Sequence, residues 1–295
     1  MAFRMITLGD SVTWGQGLPE DEKFDRLVQE ALKPLHPEGV TLERLAHSGA
    51  IIGPGSGRTA TGGEAPVSSP TILEQLAQVP SPGTADLVIL NGGINDVGIA
   101  KILNPLSLIP SLRRRVEEAC HDSMLSLLGA ARAKFRKPEC RIVVTGYYTI
   151  LSDKSRPLQI PDLLALQGMS VSEFVDESVF FDLLSDRCEE FFTRSDAALR
   201  AAVADAGDAR ITFVSSGFTN ENAVFVPGTS LLWGLTEDLE PEDPVAGPRR
   251  LQCDLTFNQV GDLLRREQCY RASAGHPNVQ GAERYAAQIC AGLGI

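Results

Sequence analysis

The chain has 295 residues, 43% of them hydrophobic, with 27 basic and 38 acidic side chains and a net charge of −11. That apolar content excludes disorder over most of the length, and a chain of this size buries about three quarters of its unfolded surface, so folding requires neither disulfide nor metal. No run approaches the roughly 18 uninterrupted apolar residues of a membrane helix, and the acidic balance disfavours nucleic acid and acidic lipid surfaces as partners. The N-terminal stretch has no basic region followed by a long apolar core. The expected compartment is therefore the cytoplasm, or outside the cell if a leader has been removed.

Arg4 to Leu8 reads as a buried strand that breaks at Gly9. Glu20 to Leu32 is amphipathic, with Phe24, Leu27, Val28, Ala31 and Leu32 on one face. Val40 to Leu45 is a weaker, alternating strand, and Gly53 to Val67 is a loop rich in Gly, Ser, Thr and Pro. Thr71 to Val79 suits a short helix. Asp86 to Asn91 is a second buried strand, ending in Gly92-Gly93. A long helix is expected over Arg114 to Phe135, stopped before Pro138. Arg141 to Gly146 is a strand, Ser170 to Ala206 one or two helices, Ile211 to Val214 the last strand and Asn278 to Leu293 a closing helix.

Strands separated by helices predict a mainly parallel sheet with helices on both faces, a three-layer α/β/α sandwich in one domain over 1–295. Two proline-containing stretches, 150–167 and 217–254, fit the alternation poorly and are expected as lid or rim elements. Trp233, in the second, would belong to a lid or merely anchor it. The six cysteines form no CxxC pair and have no histidine at ligand spacing, so no metal or other cofactor is expected. They read as ordinary thiols, with Cys253 and Cys269 the best disulfide candidates in an exported protein.

Chemistry in parallel sheets gathers beyond the strand C-termini. Ser11 stands there, in Gly9-Asp10-Ser11, although Asp10 or Ser11 is equally suited to cap a helix starting near Val12. Serine needs a base to act as a nucleophile. Of the four histidines, His36 and His121 suit solvated or packing positions, His47 lies at a strand end, and His276 sits on a short loop fixed by Pro277. Asn95, in Gly93-Ile94-Asn95-Asp96, could donate to an oxyanion or form an Asx turn, and Gly49, after His47-Ser48, offers a backbone N–H. Tyr147, Tyr148 and Trp14 are groove or packing residues. Gly53-Pro54-Gly55-Ser56-Gly57 lacks a P-loop or dinucleotide pattern and reads as a flexible loop.

Taken together and in this order, Gly9-Asp10-Ser11, Gly49, Gly93-Ile94-Asn95-Asp96 and Gly275-His276-Pro277-Asn278 resemble the four blocks of the SGNH branch of the GDSL esterases and lipases. The resemblance spans Gly9 to the final helix and implies a flavodoxin-like SGNH hydrolase fold. It implies Ser11 as nucleophile, His276 as base, and an oxyanion hole made by the Ser11 and Gly49 N–H groups and the Asn95 amide. The implied activity is carboxylic ester hydrolysis through an acyl-enzyme, on a small-molecule or lipid ester. Alternatives on the same scaffold are a carbohydrate deacetylase, a thioesterase, an acyltransferase or a non-catalytic binding module. One departure stands out: the family often carries Asp three residues before the histidine, where this chain has Ser273. That implies a Ser–His dyad with a backbone carbonyl orienting the ring, unless Asp262 or Glu267 reaches in.

Overall fold

A computed structural model describes residues 2–55, 57–156 and 177–295. Five strands form one fully parallel sheet: β1 (Phe3–Leu8), β2 (Val40–Arg44), β3 (Leu87–Leu90), β4 (Arg141–Thr145) and β5 (Ile211–Val214), in the order β2-β1-β3-β4-β5. The central strands β3 and β4 read as nearly continuous apolar runs because both faces are covered. All of Leu87–Leu90 is buried, as are Met5, Ile6 and Leu8, and each such side chain contributes about 1.5–3 kcal/mol of burial.

The α-helices among the described residues are α1 (Ser11–Trp14), α2 (Phe24–Leu32), α3 (Ile72–Gln78), α4 (Ile94–Val97), α5 (Ile99–Ile102), α6 (Ile109–Val116), α7 (Met124–Lys134), α8 (Glu177–Ala206), α9 (Ala246–Thr256), α10 (Leu263–Tyr270) and α11 (Val279–Leu293). α2 packs on α11, with Phe24 stacked on Tyr285 at 5.5 Å, while α3, α6, α7 and α8 pack among themselves. These two groups of helices flank the sheet as the outer layers. The capping box of Thr71 and Glu74 starts α3, and the Asn278 side chain caps α11 at the Gly281 N–H, 3.0 Å away.

Three expectations need correction. The helix expected from Arg114 begins at Ile109, where Pro110 fits the first turn, and passes through a π-helical stretch, Glu117–Ser123, before α7. The stretch read as irregular to Asp254 turns helical at Ala246, because Pro248 lies in the first turn of α9, where its missing N–H costs nothing. Within the remainder of that stretch, residues 231–235 are largely buried, as described below. Of the 150–167 stretch, residues 150–156 form turns and the rest lie outside the described residues, as do residues 170–176 of the expected 170–206 helix.

Cys253 of α9 and Cys269 of α10 are joined by a disulfide, so these two are not ordinary thiols; Cys120, Cys140 and Cys188 are buried and free. Beside the main core lies a smaller one of Ala65, Val67, Cys253, Phe257 and Cys269.

Candidate active site

In the strand order β2-β1-β3-β4-β5 the chain goes from β1 outward to β2 and then returns to β3 on the other side. The crevice beyond β1 and β3 is therefore the switch point where ligands collect. Ser11 follows β1 there and Asn95 follows β3. Gly9 makes the exit from β1 possible: its φ is +149°, and a Cβ would lie 2.6 Å from Thr13 Oγ1 and 2.9 Å from the Asn91 carbonyl. Asp10 caps α1 by accepting the Val12 N–H at 2.9 Å, and Ser11 opens onto the crevice.

Asp10 is fully buried, and loss of hydration raises its pKa to about 6. Tyr147 donates its hydroxyl to Asp10 at 2.8 Å and accepts the Ile94 N–H at 3.1 Å, so it ties the nucleophile turn to the start of α4. Asp96 accepts the Ile52 N–H at 3.1 Å and the Gly53 N–H at 3.3 Å, which anchors the loop after Gly49. Both aspartates hold turns.

His276 arrives from 265 residues away, and its Nε2 lies 2.7 Å from Ser11 Oγ. Its loop is clamped from several sides. The Trp233 N–H donates to the His276 carbonyl at 2.8 Å, the Gly275 N–H to the Trp233 carbonyl at 2.9 Å and the Asn278 N–H to the Leu231 carbonyl at 2.9 Å. Tyr148 donates its hydroxyl to the Gly275 carbonyl at 3.0 Å. The 231–233 segment, expected as a rim or lid, is thus a buttress of the histidine loop.

On the far side of the ring, Nδ1 is buried with no hydrogen-bond partner among the described residues, and the Ser273 and Ala274 carbonyls lie near the ring. Neither acid named as an alternative reaches it: Asp262 pairs with Arg58 at 2.9 Å and Glu267 with Arg271 at 2.8 Å. A third acid, Asp243, accepts the Ser273 hydroxyl and pairs with Arg249. Desolvation, then the nearby positive charge of Arg249, push the His276 pKa down to about 4 against the opposing pull of the two carbonyls and Asp243.

The Asn95 amide donates to the Ala50 carbonyl at 3.0 Å, which leaves its second hydrogen for another acceptor. The backbone N–H groups of Ser11 and Gly49 have no partner among the described residues. Gly49 has φ +78°, and a Cβ there would lie 2.6 Å from the Val67 N, so only glycine fits. Ser11, Gly49, Asn95 and His276 all line one cavity of about 470 Å³. Tyr148 lines it too, whereas Tyr147 is buried beneath it. Trp14 instead turns to Glu64, donating at 2.8 Å. The other histidines stay apart: His47 Nδ1 contacts the Ser48 carbonyl, His36 stacks on Phe3 and His121 meets Asp122 and Asp205. Among the described residues no group of three or more His, Cys, Asp or Glu is placed to hold a metal ion.

The buried ion cluster behind the histidine loop carries no local sequence signal. Arg249, with no exposed surface, meets Asp243 at 3.1 Å, Glu64 at 3.2 Å and the Tyr270 carbonyl at 3.1 Å. Arg249→Met strands two buried carboxylates. It is expected to cost about 3–5 kcal/mol of stability, seen as a lower urea midpoint with an unchanged slope.

The GDSL-like lipase/acylhydrolase family model matches residues 7–284. The chain belongs to that family. It is accordingly a carboxylic ester hydrolase, with the α/β architecture described above. This acylhydrolase superposes on an extracellular lipase from Streptomyces rimosus with TM-score 0.59 and 16% identity, over 98% of this chain and 99% of that one. A phospholipase A1 from Streptomyces albidoflavus gives TM-score 0.50 and 17% identity over 80% and 89% of the two chains. A lipase from a goat rumen metagenome gives 0.50 and 14% over 98% and 97%. At such identities these likenesses concern the fold. No curated protein sequence matches the acylhydrolase.

Proposed function

We propose that Ser11 is the nucleophile and His276 the general base of this ester hydrolase, and the 2.7 Å contact between them carries the reading. Ser11 Oγ attacks the ester carbonyl carbon as its proton passes to Nε2. The negative charge that develops on the carbonyl oxygen falls to the Ser11 and Gly49 N–H groups and the free hydrogen of Asn95. Collapse expels the alcohol, which takes the proton back from Nε2. Water then attacks the acyl-enzyme, again giving a proton to Nε2, and the carboxylic acid leaves as Ser11 is restored. For Nε2 to accept, Nδ1 must carry the ring's other proton. The negative ends of the nearby Ser273 and Ala274 carbonyls favour this tautomer, so a dyad suffices.

The apolar part of the cavity, with Ile94, Ile99, Leu103 and Phe225, suits an acyl chain of a small-molecule or lipid ester. The Cys253–Cys269 bond favours an oxidising compartment over the cytoplasm expected from the N-terminus.

Intact-mass labelling with a fluorophosphonate tests the assignment. One adduct on the wild type, lost in Ser11→Ala, supports it; a folded wild type that takes no adduct overturns it. The pH profile is a second test. The base works only as neutral imidazole, and its pKa is lowered to about 4. The rate, kcat/KM, should therefore stay level from neutral pH down to about 5 and fall as pH drops through about 4. An acidic limb near 6.5 would contradict this environment.

A further inference from the structure

The cavity is polarised in a way that ester hydrolysis alone does not require. Its lining after β3, β4 and β5 is apolar, with Ile94, Ile99 and Leu103, then Ile150, then Val224 and Phe225. The wall built by the loop after β2, by α10 and by the residue that ends it carries Arg58, Arg265 and Arg271 beside Val67 and Phe257. In a chain of net charge −11, three arginines and not one Asp or Glu are found among the described lining residues.

Two of the arginines are fixed in place. Arg58 holds Asp262 at 2.9 and 3.2 Å, and Arg271 meets Glu267 at 2.8 Å and the Leu239 carbonyl at 2.9 Å. Both carboxylates lie outside the described lining, so the guanidinium groups, not the acids, form this wall. Arg265 is the cation in excess. Its nearest acid is Asp262 at 3.9 Å, it makes no hydrogen bond among the described residues, and its side chain is 64% exposed.

We propose that this wall is an oxyanion-group subsite, so that the preferred substrates are esters whose alcohol half carries a phosphate or carboxylate. This rests on Ser11 as the nucleophile. The two halves of an ester leave the scissile carbon in opposite directions. With the acyl chain on the apolar side, the alcohol half points at the arginines. A guanidinium offers a planar fork of donors that matches such a group. Arg265 supplies the spare fork, beside the guanidinium groups that Asp262 and Glu267 hold in place.

The probes are 1-butyrylglycerol 3-phosphate and 1-butyrylglycerol, which differ only in the phosphate, with butyrate release as the readout. The wild type is expected to favour the phosphate ester by about tenfold in kcat/KM at low ionic strength, a charged hydrogen bond at a partly exposed site. Added salt should shrink that preference. Arg265→Gln should remove most of it through KM while leaving 1-butyrylglycerol unchanged, and Arg265→Glu should reverse it. The same pair with oleoyl chains in micelles compares a lipid headgroup with a soluble phosphate, and a preference in either arm supports the subsite. Equal rates on both members of both pairs overturn it, as does an Arg265→Gln variant that slows both esters alike. Hydrolysis of 1-butyrylglycerol without a phosphate preference overturns the subsite alone. If neither ester is cleaved and no fluorophosphonate adduct forms, the nucleophile assignment falls and the subsite with it.

Discussion

Ser11→Ala and His276→Ala are each expected to lower kcat by about four to six orders of magnitude, with the fold intact. The two groups share one hydrogen bond, 2.7 Å long, and act as a unit. Without His276 the hydroxyl has no acceptor for its proton; without Ser11 the base has nothing to activate. The double variant should consequently be little worse than either single one. Some rate over water should persist from the oxyanion donors. Ser273→Ala is the contrasting case: its hydroxyl points to Asp243, and the carbonyls near the ring are retained. It should keep activity within about tenfold of wild type. Steady-state kinetics beside circular dichroism would check all four variants. A Ser273→Ala loss matching that of His276→Ala would refute the carbonyl-oriented dyad.

Asn95→Ala is expected to lower kcat by about two to three orders of magnitude with little change in KM, since the lost donor acts mainly on the transition state. The Asn95 side chain also holds the Ala50 carbonyl at 3.0 Å, next to Gly49. Its removal therefore loosens a second oxyanion donor as well. Fluorophosphonate labelling passes through a similar charged intermediate, so its rate should fall in parallel. A variant with normal kcat and raised KM would place Asn95 in substrate binding instead.

The sheet was legible because each buried strand is a short apolar run ending in a turn residue, as at Gly9 and Gly92-Gly93. The approach of Ser11 to His276 was legible only through the rule for strand ends and the four-block resemblance, since nothing local links residues so far apart. Helix α9 was obscured by Pro248, which looks like a breaker until its place in the first turn is known. The choice of acids failed for a different reason. Asp262 and Glu267 lie near His276 in sequence, but each is claimed by an arginine. Asp243 meets Ser273 directly and is held there by Arg249, whose other carboxylate partner, Glu64, is 185 residues from it. Ion partners across such separations leave no periodicity or spacing to read. The prolines before α9 suggested a lid or rim, and no spacing revealed that Trp233 pairs with the His276 backbone while Val224 and Phe225 of the same stretch line the cavity.

The smaller core around the Cys253–Cys269 bond gives the cavity's cationic wall a foundation separate from the sheet. It sets the most exposed arginine of that wall, Arg265, on a bonded helix pair that the sheet does not carry. The same pair holds Arg249, whose charge bears on His276 and whose partners are Asp243 and Glu64. The outer face of the pair can therefore vary, in natural lineages or in the laboratory, while its inner face stays tied to the histidine loop.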